Sequence, residues 1–83
     1  MNTAFLLMAQ FEKTIIPARD VAKIFDVSEV TLLRKIGKGE IALPLIRLEN
    51  SREGAKGVHI SDLAAYIDAK RAAAQKEAKA MQA

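Results

Sequence analysis

Apolar residues crowd the first eleven positions, thin into two short stretches at helical spacing, become extended, and return in a last helical stretch that fades into alanine and lysine. In residues 4–9, AFLLMA, they outnumber what one side of so short an element can hide. Ala, Leu, Met and Gln favour helix and Thr3 is placed to cap one, so a two-turn helix is expected, with an edge strand as the alternative. The surplus of apolar side chains predicts that a second subunit covers part of this element. The stretch falls far short of the ~20 residues that a membrane helix needs. No basic residue precedes it, as one would in a secretory signal, and a soluble, cytoplasmic chain is expected.

Residues 12–14 form a polar turn, and Ile15 and Ile16 lead in extended form to Pro17, which presets its own backbone for a first helical turn. Val21, Ala22 and Phe25, with Ile24 beside them, recur at spacings of three and four and mark one helix. Asp20 near its start complements the helix dipole. Asp26 then stands where the backbone tends to be left-handed; glycine is usual there, and aspartate tolerates that region better than most residues. Ser28 caps a second helix, with Glu29 in its first turn. Leu32 and Ile36 face the core on this register, and Val27 packs from the turn. Ser28, Glu29, Thr31, Arg34, Lys35 and Lys38 face outward, with Leu33 at the margin. Gly37 weakens the last turn and Gly39 ends it in a left-handed cap. Two short helices about a tight turn are a helix-turn-helix, in which the first braces the second and the second projects side chains outward.

Beyond Glu40 the pattern changes period. Leu43-Pro44 forces an extended path, and Leu45, Ile46 and Leu48 give strand character around Arg47. The polar run ENSREGAKG follows, then VHI. Two short strands joined by a charged loop make a wing. His59, between Val58 and Ile60, points opposite to them and reads as a surface residue. Ser61 starts a final helix with Asp62 in its first turn, and Leu63, Tyr66 and Ile67 close over the helix-turn-helix core. Past Asp68 the run AKRAAAQKEAKAMQA has helix propensity but few large apolar residues. The expectation is a single domain over residues 1–83, with 72–83 a helical or frayed tail.

Eighty-three residues allow no second domain. A net charge of +3 suits a nucleic-acid partner without singling one out. The absence of cysteine excludes a disulfide framework, and a lone histidine leaves a structural zinc without ligands. No paired nucleophile and base, phosphate loop or metal constellation points to an enzyme, and no cofactor is expected. The outward residues offer binding chemistry instead. Hydroxyls and N–H groups at the start of the second helix bond phosphate, and Arg34 reaches guanine with a paired contact. Lys35 and Lys38 add charge behind it. On the wing, Arg47 precedes the loop, and Arg52 and Lys56 are the best placed for phosphates or a minor-groove edge. Taken alone these cations read as a solvated face; the surrounding architecture favours double-stranded DNA.

The opening MNTAFLLMAQF, the IP before the first helix, the RK..GEIALP.IR segment and KGVH.SDLA.YID resemble the pyocin activator proteins. The resemblance runs from Met1 to about Arg71. The middle also resembles the broader excisionase and MerR-like winged-helix group, where VS..T...R...GE.P recurs. The fold so implied is mainly α with a small β-wing: a MerR/excisionase-like winged helix-turn-helix with a short N-terminal apolar element and a long C-terminal helix. The family implies a bacterial activator of transcription that binds repeated promoter elements of phage-tail-like bacteriocin genes, with its basic residues falling on Arg34, Lys35 and Lys38. RNA polymerase would be a second partner, reached through acidic residues such as Glu12, Asp62 or Asp68. A homodimer or adjacent copies would supply the DNA contact that one small domain lacks. Two further readings stand beside it: an excisionase that bends DNA for a recombinase, and a winged helix that holds a protein partner. The mixed charges of Glu29, Glu40, Glu49 and Glu53 among the cations suit the latter.

Overall fold

In the computed structural model, described over residues 2–49 and 55–82, the chain opens with helix α1 (Thr3–Phe11). Asn2, not Thr3, caps it: the Asn2 side-chain oxygen accepts the Phe5 N–H at 2.7 Å. Asparagine caps at least as well as threonine. Thr3 is thereby released into the first turn, where its hydroxyl donates to the carboxylate of Asp68 across the fold. The helix stops at Glu12, left-handed at φ 55, whose N–H donates to the Met8 carbonyl.

Strand β1 (Ile15–Pro17) follows, then α2 (Ala18–Phe25), α3 (Glu29–Gly37), β2 (Ile46–Arg47), β3 (Lys56–His59) and α4 (Ile60–Gln82). The architecture is mainly helical with one small antiparallel sheet, consistent with a winged helix-turn-helix. The sheet has the order β1-β3-β2, one strand more than the wing expected from sequence. Ile15 and Ile16 are that strand, lying opposite His59 and Val58. Pro17 departs from expectation as well. With φ −57 and ψ 146 it is the extended last residue of β1 and caps α2 without joining its first turn. On an edge strand its missing N–H costs no central ladder bond.

The β2–β3 hairpin is shorter than the apolar run that suggested it. Only Ile46 and Arg47 are paired as β2, and the Leu48 N–H adds one more bond to the Ala55 carbonyl at 2.9 Å. Ile41 and Leu43 instead drop into the core from an irregular segment after α3. Gly57 sits in the centre of the sheet, between Pro17 and Ile46. A Cβ on it would lie 2.7 Å from both the Ile15 Cγ2 and the Ile16 carbonyl oxygen, so the two strands approach too closely for any side chain. Gly57→Ala is expected to cost about 1–3 kcal/mol through this overpacking, read as a lower urea midpoint.

Five fully buried side chains form the centre: Ile16, Val21, Leu32, Val58 and Leu63. Each comes from a different element, so β1, α2, α3, β3 and α4 share one core. The aromatic rings of Phe25 and Tyr66, 5.5 Å apart, join α2 to α4 at its edge. Leu7 anchors α1, which packs along α4, while Phe5, Leu6 and Met8 remain exposed. α4 runs for 23 residues, and residues 68–82 are all exposed.

Candidate nucleic-acid interface

The turn between α2 and α3 is set by three local devices. Asp26 takes the left-handed conformation expected of it, at φ 56. This brings the Val27 N–H back to the Ala22 carbonyl at 3.0 Å and the Asp26 N–H to Lys23, closing the end of α2. Ser28 then caps α3, its hydroxyl oxygen accepting the Thr31 N–H at 3.1 Å. The same hydroxyl donates to the Thr31 Oγ at 2.8 Å. Ser28 is thus turned into its own helix, and the Thr31 hydroxyl retains its proton for an outside acceptor. At the other end Gly39, at φ 78, lets the Glu40 N–H reach the Lys35 carbonyl at 2.9 Å.

Between these caps α3 has a sharply divided surface. Leu32 is fully buried and Ile36 packs against the core. With roughly 100° per residue, Val30 and Arg34 stand about 160° and 200° round the helix from Leu32. They are therefore its outermost side chains. Arg34 and Lys38 are exposed, Lys35 and Leu33 are half-buried on the two flanks, and Glu29 is exposed at the start. The outward residues read from the sequence do not include Val30. Its position opposite Leu32 was the available signal, and it is 77% exposed.

The hairpin carries a second cationic group. Arg47 on β2 lies directly opposite Lys56 on β3. Opposite residues of an antiparallel pair share a face, so both side chains start from the same side of the wing. A phosphate meeting that face would meet both. Arg52 lies outside the described residues. α2 packs against both α3 and the sheet, so it holds the two cationic elements in one body.

His59 has a structural task. Its Nδ1 accepts the Ser61 N–H at 3.1 Å, satisfying one of the free donors at the start of α4, which begins at Ile60, one residue before its expected start at Ser61. Among the acidic residues suggested for a polymerase contact, Asp68 is held by Thr3. Among the described residues, no group of three or more His, Cys, Asp or Glu could hold a metal ion, and no helix is long and apolar enough to cross a membrane.

No curated protein and no solved structure matches the chain. Residues 3–74 take in the helix-turn-helix, both described strands of the wing and the part of α4 that packs on the core. They match the model of the family described as Pyocin activator protein PrtN, and to that family the chain belongs.

Proposed function

We propose that this chain is a sequence-specific DNA-binding activator of pyocin gene transcription that binds repeated promoter elements. Family membership supports the activator role. One observation carries the DNA-binding part: α3 is pinned by Leu32 on one side and presents exposed Arg34 on the other, with exposed Lys38 at its C-cap. In this reading α3 enters the major groove. Arg34 pairs with guanine, Glu29 can accept from a cytosine amino group, and Lys38 and the Thr31 hydroxyl hold phosphates. Lys35 and Leu33 lie along the groove walls, and Ser28 sets the helix start. The wing cations Arg47 and Lys56, with Arg52, engage the adjacent backbone or minor groove.

Two copies act together on DNA in this proposal, as a homodimer or on neighbouring repeats. Support comes from α1, whose Phe5, Leu6 and Met8 are 59%, 53% and 40% exposed on a helix that is apolar nearly all round. Such a helix is stable when covered on every side. RNA polymerase is the second partner, approached through acidic residues such as Glu12 or Asp62.

The test is binding to a labelled pyocin promoter fragment and to a scrambled one across a salt series. Preference for the promoter is expected, with log affinity falling by roughly 0.9 per phosphate contact for each unit of log salt. Equal, weak binding to both fragments contradicts sequence reading. Absence of binding at low salt contradicts DNA binding altogether.

A further inference from the structure

We infer that Val30 is a specificity-determining residue that reads the C5-methyl group of a thymine in the major groove. The inference rests on the DNA-binding reading above and names one part of what that site recognises.

Val30 is 77% exposed, yet it occupies a helix whose other apolar residues are turned inward or half-buried. Nothing in the fold calls for valine there. It belongs to no core contact set, and at an exposed helical position, where propensity decides, a β-branched residue is a poor choice. What valine offers is a stiff aliphatic surface. With its χ1 restricted, it loses little rotamer freedom when it docks.

The neighbours of Val30 define the surface it would touch. It stands one turn before Arg34 on the same outer face of α3, with Cβ atoms roughly 5–6 Å apart. That separation spans one to two base steps of ~3.4 Å. Val30 also lies in the first turn of α3, and it is the N-terminal part of a recognition helix that meets base edges. On those edges the apolar feature is the thymine methyl, while guanine offers the acceptor pair that Arg34 matches. A valine one turn from an arginine therefore suits a thymine within one or two steps of a guanine. A protein partner for the same face would need more apolar surface than this one side chain with Leu33 half-buried beside it.

The experiment compares the labelled promoter fragment with the same fragment made with deoxyuridine in place of thymidine, against wild type and Val30→Ser. Exposure of Val30 leaves the core untouched by the substitution, and circular dichroism checks this. Wild type should bind the uracil fragment roughly three- to fivefold more weakly for each bound copy, as expected for one lost methyl contact per copy. Val30→Ser should bind the two fragments alike. If wild type binds both fragments equally while still preferring the promoter to scrambled DNA, the thymine assignment is overturned and DNA reading stands. An undiminished uracil penalty in Val30→Ser also overturns it, placing the methyl contact elsewhere. Loss of all promoter preference in wild type removes the DNA reading and this assignment with it.

Discussion

Leu32→Ala is expected to remove about 2–5 kcal/mol of stability and to raise the unfolded fraction by at least about 30-fold. Leu32 is the one fully buried residue of α3 and the point at which that helix joins the shared core. Truncation deletes its contacts and leaves a cavity between elements that cannot all move in, since each is held by its own buried residue. A chain of this size has only roughly 4–12 kcal/mol of stability in total, so one such cavity is a large share of it. Urea unfolding followed at 222 nm should show a fall in midpoint with an unchanged slope. Val30→Ser, on the opposite side of the same helix, serves as the control and should shift the midpoint little. A Leu32→Ala midpoint as high as that of the control would mean that α3 is not seated through Leu32.

Arg34→Ala has the largest expected effect on binding. A paired contact from arginine to guanine is worth about 1–3 kcal/mol of discrimination, or roughly five- to 150-fold in affinity for the correct site. The loss should be confined to the promoter fragment and should relax preference at one base position. Lys38→Ala is the contrast. A lysine that meets only phosphate should weaken promoter and scrambled DNA alike and lower the salt slope by about one contact. Fragments carrying each base in turn at the guanine position, titrated against both variants, separate the two roles. Equal losses on promoter and scrambled DNA from Arg34→Ala would reduce Arg34 to another phosphate contact. Both residues are exposed, so neither substitution should move the unfolding midpoint appreciably.

The helix-turn-helix was legible in the sequence because its signals are local. The left-handed Asp26, the Ser28 cap, the Gly39 end and the inward Leu32 each depend on a residue and its neighbours within five positions. Helical hydrogen bonds and side-chain faces repeat over that same distance, so a pattern in the chain is already a pattern in space. The outward position of Arg34 follows from the same arithmetic once Leu32 is placed.

What the tertiary structure decided lies where partners are far apart along the chain. Ile15 and Ile16 become a strand only because β3 comes alongside them, bringing Ile16 opposite Val58. Two isoleucines before a proline carry no mark of that pairing, since a strand's hydrogen bonds are satisfied by another segment and not by itself. Gly57 shows the same dependence: its need for no side chain arises from the carbonyl of Ile16 and the side chain of Ile15. Thr3 meets Asp68, and Ile41 and Leu43 enter the core from irregular backbone, for reasons equally distant in sequence. The exposure of Val30 stands between the two cases. Its direction was fixed by the local helix, but that no other element covers it was decided by the packing of the whole chain.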